Sequence, residues 1–178
     1  IVCYLRRMNR EIPNLPKSRL YLEVAKWGIE SLLAKKPLGK EFRFHVVGIL
    51  ASLRAVQHAL LNHDSTISEQ HRALISAWKK NTPMNGFEIN FIRTSRNDIL
   101  KAGSFESYAT KTESGTGEGS NYTVSHEDYE VAYYRNKERR DLIADMQRAV
   151  VCCEDELNKI SAQLPPVNGR DLRCRTLK

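Results

Sequence analysis

The stretch that decides the fold is residues 40–62, KEFRFHVVGILASLRAVQHALLN. Its large apolar side chains recur at steps of three and four residues, which is the period of an α-helix with one buried face. These side chains are Phe42, Val46, Ile49, Leu50, Leu53, Val56 and Leu60, with Phe44 and Val47 widening the stripe. We therefore predict that this stretch is the most hydrophobic helix and the centre of the core.

A first helix is predicted immediately upstream, over the stretch of residues 20–36 that follows Ser18. Ser18 is a suitable N-cap, and Pro37 and Gly39 end the helical pattern. The apolar residues fall into two stripes, one of Leu20, Val24 and Trp27, the other of Leu22, Ala25, Ile29, Leu32 and Leu33. Two stripes predict a helix that is contacted from two sides.

Three further helices are predicted downstream. The third runs from about residue 66 to 80, capped by Asp64 or Ser65, and the fourth from about 87 to 102, closed by Gly103. The last runs from about 135 to 163 and carries a sustained apolar seam of Leu142, Met146, Ala149, Cys153, Leu157, Ile160 and Leu164. Such a seam packs on a bundle or on another chain.

The remaining segments lack a helical period. Residues 104–121 combine glycine with polar side chains, which predicts a flexible loop, and residues 122–134 are typical of either a short strand or a helix start. We expect an all-α up-and-down bundle of four helices plus a long C-terminal helix. This single domain spans residues 18–164, between an N-terminal arm (1–17) and a basic tail (165–178).

Charge and composition narrow the function classes. The 178 residues contain 28 Lys and Arg against 21 Asp and Glu, a net charge of +7, and residues 1–100 alone carry 16 basic and 8 acidic side chains. A basic surface favours an anionic partner such as nucleic acid, although interspersed charges also serve solubility. The sequence contains no run of 18 apolar residues, so it predicts no membrane span. Its four cysteines lack metal-ligand spacing, which predicts free thiols in the cytoplasm.

The most unusual motif lies in the fourth predicted helix, FEINFIRTSRNDILKAG (residues 87–103). Arg96 falls on the apolar stripe of this helix, where a charge requires a carboxylate, a ligand phosphate or a subunit partner. Asn97 lies beside it, and Arg93 and Lys101 add donors near the same helix end. We therefore predict an anion-binding site of Arg93, Arg96, Asn97 and Lys101. A structural ion pair or a snorkelling side chain is the alternative for Arg96.

A helical domain with Arg-Asn late in one helix resembles the HEPN (higher eukaryotes and prokaryotes nucleotide-binding) superfamily. The order of the predicted helices matches over about residues 18–103, and the motif itself matches at two residues, Arg96 and Asn97. The resemblance implies an up-and-down bundle that often dimerises. In ribonuclease members, a histidine separated from this arginine by four to six residues acts with it on RNA. Here the corresponding positions hold Lys101, Ala102 and Gly103.

Because this histidine is missing, we expect a non-catalytic HEPN-like module that binds RNA, a nucleotide or a partner protein, as a homodimer. A ribonuclease that uses Arg96 with another base, such as Lys101 or His126, and an unrelated ligand-binding bundle are the alternatives. The five histidines lack the spacing of a helix-bundle metal site, so we expect no metal and no cofactor.

Overall fold

The computed structural model describes residues 14–81, 92, 95, 107–116, 123–135 and 138–164. The element order is α1 (Pro16–Lys35), α2 (Gly39–Asn62), a 3₁₀ turn (Asp64–Thr66), α3 (Glu69–Asn81), β1 (Ser107–Thr116), β2 (Thr123–Arg135), β3 (Glu138–Asp141) and α4 (Leu142–Ser161). The described residues are mostly helical, as predicted. The expectation of an all-α fold is wrong, because β1, β2 and β3 form an antiparallel sheet in that order.

Helix α1 begins at Pro16, two residues before the predicted N-cap, and its N-terminus is capped from another part of the chain. Asp64, in the 3₁₀ turn, accepts hydrogen bonds from the backbone amides of Lys17 (3.1 Å) and Ser18 (2.9 Å) and from the Ser18 hydroxyl. Ser18 therefore belongs to the first turn and is not the N-cap. The helix ends where Lys36 adopts a left-handed conformation before Pro37.

Helix α2 has its predicted extent, and the stripe from Phe42 to Leu60 is buried as predicted. Phe44, predicted to widen this stripe, is instead 79% exposed. The core consists mainly of this stripe, the α1 residues Leu22, Ala25, Ile29 and Leu32, and the α4 residues Leu142, Met146, Ala149, Leu157 and Ile160. Helices α1 and α2 approach closely at Gly28, where an added Cβ would lie 2.7 Å from Ile49 Cγ1. A glycine is required at this crossing because any side chain would push the helices apart.

The sheet contains part of the predicted flexible loop and most of the segment that the sequence left ambiguous. Residues 107–116, predicted as part of a flexible loop over 104–121, form β1; residues 104–106 and 117–121 lie outside the described residues. Strand β1 pairs with β2 from Ser107 opposite Tyr133 to Thr116 opposite Thr123, so the glycine-bearing stretch is held by a partner that local composition does not reveal. The segment 122–134, for which the sequence left strand and helix open, is a strand from residue 123 onward (β2, Thr123–Arg135).

Helix α4 begins at Leu142 rather than near residue 135. Residues 138–141 pair with 132–135 as β3, and Asp141 then caps the helix by accepting a hydrogen bond from the Ala144 amide at 3.0 Å. Lys26 ties α4 to α1 through Glu154 (2.8 Å), a hydrogen bond that raises the pKa of Lys26 against the opposing effect of burial.

Helix α3 starts at Glu69, later than predicted, because Asp64–Thr66 forms a separate 3₁₀ turn. Ser68 provides its cap by accepting from the His71 amide at 3.2 Å. Trp78 on α3 donates its indole proton to Glu156 on α4 at 2.7 Å. Burial alone would raise the pKa of Glu156, but hydrogen bonds from Lys159 and Trp78 outweigh it and lower the pKa.

One stretch among the described residues, Gly39–Thr66, contains an 18-residue window with a mean hydropathy of 1.4, which is long and apolar enough to cross a bilayer by length and composition. The core helix of a soluble protein meets the same criterion. In this fold, one side of α2 packs against α1 and the other core elements.

Candidate functional site

The predicted anion site lies outside the described residues, since Arg93, Arg96, Asn97 and Lys101 all fall in the undescribed part of 82–106. Two of their neighbours are described. Ile92 and Ser95 are helical and buried, at 5% and 3% exposure. Ile92 belongs to the predicted apolar stripe of the fourth helix, so that helix buries at least this part of it. His126, the alternative base, lies in β2 opposite Ser114.

A groove of about 640 Å³ opens beside β2, where the sheet meets the helices. Strand β3 ends at Asp141, opposite Ala132, so β2 continues past it from Val131 back toward its N-terminus. Apolar side chains of the groove come from α1, β2 and α4, while charged and hydroxyl side chains come from the three strands. The lining residues are Leu33, Thr110, Thr112, Asp128, Tyr129, Glu130, Val131, Ala132, Arg139, Arg140, Asp141 and Ile143. This volume lies within the ~300–1,000 Å³ of typical ligand sites.

A buried carboxylate, Asp145, contacts one of the side chains that line this groove. Asp145, in the first turn of α4, is 1% exposed and accepts a hydrogen bond from the Tyr133 hydroxyl at 2.5 Å. Arg140, which lines the groove, lies 3.4 Å from Asp145 (Nε to Oδ2), and Arg148 pairs with the other carboxylate oxygen. The two arginine side chains are 32% and 56% exposed, so the buried charge is balanced by cations that reach into solvent.

A second arginine of the groove is fixed on the opposite face of the sheet. Arg139 donates its Nε proton to the Tyr108 hydroxyl at 2.7 Å and pairs with Glu130. All three strands contribute to this cluster, because Arg139 lies on β3, Glu130 on β2 and Tyr108 on β1. Both groove arginines thus already have carboxylate partners.

Tyr129 anchors the groove to the α1–α2 connection. Its hydroxyl donates to the Pro37 carbonyl at 2.8 Å. Burial raises the pKa of Tyr129 to about 12, so the phenol stays protonated at neutral pH. It therefore serves as a hydrogen-bond donor that holds β2 against the helices, and not as a general base.

Within the part of the chain that the structure describes, no group of three or more His, Cys, Asp or Glu side chains is placed to hold a metal ion. His71, on α3, is 2% exposed and contacts Ser68 Oγ through Nδ1 (2.8 Å) and the Asn14 carbonyl through Nε2 (3.1 Å). His71 is therefore a core residue.

Sequence reasoning missed the Asp145 cluster, although one signal was present. Asp145 follows Leu142 by three residues and precedes Met146 and Ala149, so its spacing places it on the apolar seam of α4. A charge on an apolar stripe requires a partner. The same argument that singled out Arg96 therefore applies to Asp145, and Arg148, one turn on, is the nearest candidate in sequence.

The comparisons with known proteins add no relative: no protein-family model, no curated protein and no solved structure matches the chain.

Proposed function

We propose that this chain is a non-catalytic binding module, HEPN-like in helix order, whose groove beside β2 binds an extended segment of a partner protein. The observation that supports it best is the mixed lining of the groove beside the part of β2 that β3 does not reach within the described sheet. An edge strand can pair with a further strand, and neighbouring pockets then select alternate side chains.

The composition of the groove fits a polypeptide. Leu33, Val131 and Ile143 provide apolar contacts, while Thr110 and Thr112 bring hydroxyl groups. A peptide segment offers apolar side chains and backbone polar groups together, and it needs both kinds of contact.

The charges of the groove disfavour a phosphate-rich ligand. Asp128, Glu130 and Asp141 line the same space as Arg139 and Arg140, so carboxylates outnumber guanidinium groups. Both arginines are also paired with carboxylates of the chain itself. A polyanion would have to displace these pairs and approach three negative side chains.

A peptide-display experiment tests this proposal. A random library of peptides displayed on phage is selected on the 178-residue chain, and enriched peptides are measured by fluorescence anisotropy. We expect Leu33→Arg, which places a charge in the groove, to weaken binding at least ~10-fold. The matched control is Val151→Arg, because Val151 is an exposed apolar residue (57%) on α4 that does not line the groove. No enrichment, or equal loss in both variants, contradicts the proposal.

The second candidate function is binding of RNA or a nucleotide at the Arg96 motif. It is favoured by the positive charge of residues 1–100, by Arg96 and Asn97 on one predicted helix, and by the burial of Ile92 on its stripe. Cleavage is not expected: Lys101, Ala102 and Gly103 provide no imidazole, and a lysine is normally protonated at neutral pH.

Arg96→Ala tests this second candidate when it is measured with single-stranded RNA of mixed sequence. If Arg96 binds a phosphate, RNA affinity falls and its salt slope decreases by about one, while thermal stability is nearly unchanged. If Arg96 is a structural ion-pair partner, the substitution lowers the unfolding free energy by about 3–5 kcal/mol. Metal-independent RNA cleavage that Arg96→Ala abolishes would overturn the non-catalytic proposal and favour the ribonuclease alternative.

A further inference from the structure

The solvent side of α1 and α2 carries an apolar surface that we call the outer face. On α1 it contains Leu20, Val24 and Trp27, the stripe that the sequence separates from the buried one. Val24 is 44% exposed and Trp27 is 68% exposed. On α2 it contains Phe44, 79% exposed, followed by Gly48, Ala51 and Ala55. Exposed large apolar side chains on neighbouring helices are typical of a protein–protein interface.

The two halves of the outer face complement each other in size. Its large side chains on α1, Val24 and Trp27, project beside a strip of small residues on α2, Gly48, Ala51 and Ala55. The crossing of Gly28 with Ile49 fixes the relative height of the two antiparallel helices. Trp27, one residue before Gly28, is therefore level with the interval between Gly48 and Ala51.

The two outer edges of this face complement each other in charge. With 3.6 residues per turn, Glu23 and Glu30 lie on the edge of α1 away from α2, and Arg43 and Arg54 lie on the edge of α2 away from α1. Glu23 comes five residues before Gly28, and Arg54 comes five residues after Ile49, so the two are level. The Glu23 side chain is 68% exposed.

We propose that the outer face binds a second copy of this chain, with a two-fold axis parallel to α1 and α2. This axis places α1 of one protomer antiparallel to α2 of its partner. Trp27 then packs over the small strip of the partner, and Glu23 and Glu30 meet the partner's basic edge. An isologous interface requires a surface that complements itself, and size and charge both satisfy this requirement here.

The available area suits a reversible dimer. Two neighbouring helices, each ~10 Å across and ~30 Å long, present about 600 Å² per subunit. Total burial is then about 1,200 Å², at the lower end of the range for specific interfaces. We expect dissociation in the micromolar range. The proposal is independent of the groove, which lies beside the sheet, so either can fail without the other.

The primary test is the light-scattering mass of the 178-residue chain at concentrations from about 1 to 100 µM. The proposal predicts a rise towards twice 20.4 kDa. Trp27→Glu and Phe44→Glu should each raise the dissociation constant more than ~30-fold. Val151→Glu is the matched control, because Val151 is an apolar residue on another helix and is also mostly exposed (57%), and it should leave dimerisation unchanged. Unchanged circular dichroism and urea midpoints ensure that a variant is folded.

A charge swap tests the geometry itself. Glu23→Arg and Arg54→Glu should each weaken the dimer about 10-fold, because each brings like charges together across the interface. The double variant should recover to within about 3-fold of the wild type. A monomer at all concentrations, a dimer insensitive to Trp27→Glu, or a double variant weaker than either single variant overturns the proposal. So does a monomer whose Trp27 binds neutral phosphatidylcholine vesicles.

Discussion

Two buried aspartates show how differently this fold neutralises a charge. Asp64 is fully buried beneath the start of α1 and is satisfied by two backbone amides and the Ser18 hydroxyl. Asp145 is equally buried beneath the sheet, but its partners are Tyr133 and two arginines whose side chains reach solvent. The first carboxylate is held by rigid backbone and the second by long, rotatable side chains.

This difference distinguishes a structural carboxylate from one that serves the proposed binding groove. Backbone amides at a helix N-terminus cannot turn away, so Asp64 serves to join the 3₁₀ turn to α1. Arg140 and Arg148 can exchange a protein partner for water or a ligand, and Arg140 lines the groove. We therefore expect Asp64 to stabilise the packing of the helices and Asp145 to hold the side chains that form the groove.

The largest effect is expected for Asp64→Ala. It leaves the Lys17 and Ser18 amides without their carboxylate, and the site is too buried for water to replace it easily. We expect the unfolding free energy to fall by about 2–4 kcal/mol. Urea unfolding followed by circular dichroism measures this change. A loss of less than about 0.5 kcal/mol would show that the cap contributes little to the fold.

Asp145→Ala should cost less, although the carboxylate is as deeply buried. Both arginines can turn to solvent, and only the Tyr133 hydroxyl remains buried without its acceptor. We expect a loss of about 1–2 kcal/mol by the same urea measurement. If Asp145→Ala destabilises the chain more than Asp64→Ala, the distinction between rigid and rotatable partners is wrong.

The smallest effect on the unfolding free energy is expected for Tyr129, which connects the groove to the chain between α1 and α2. Its pKa in the folded chain is about 12, above the ordinary value, so the unfolded chain loses this proton first as the pH rises. The unfolding free energy should therefore decrease between about pH 10 and pH 12. Because Tyr129 is half-buried, we expect less than about 1 kcal/mol. Urea unfolding across this range should show a steeper decline for wild type than for Tyr129→Phe; equal slopes would contradict the assignment.

The spacing of apolar residues along the sequence was sufficient to predict helices α1 and α2. Residues 40–62 predicted α2 to within one residue at its start. The two stripes of α1 were predicted to be contacted from two sides, and within a single chain this is wrong for one of them, because Val24 and Trp27 are 44% and 68% exposed. The extent of α2 and the buried stripe of α1 depend on the spacing of apolar side chains along one helix, which the sequence contains directly.

The sheet and the buried aspartates depend on contacts between distant parts of the chain. Strand β1 has few large apolar residues, and its strand identity comes from pairing with β2. Asp64 was expected to cap the helix that follows it, whereas it caps α1, whose first residues lie more than forty positions upstream. The Asp145 cluster carried a local signal in its spacing, but its partners Tyr133 and Arg140 could be assigned only once β2 and β3 were in place.

The most direct test of the peptide-binding proposal compares the affinity of one display-selected peptide for wild type, Asp145→Asn and Asp64→Asn. Both substitutions remove a buried negative charge and keep an acceptor oxygen, so they form a matched pair. If Asp145 organises the groove, Asp145→Asn raises the dissociation constant at least ~10-fold, because Arg140 loses its ion pair. Asp64→Asn, measured where circular dichroism shows a folded chain, leaves the affinity within about 2-fold of the wild type. Equal affinities for all three proteins would contradict the assignment of the groove as the binding site.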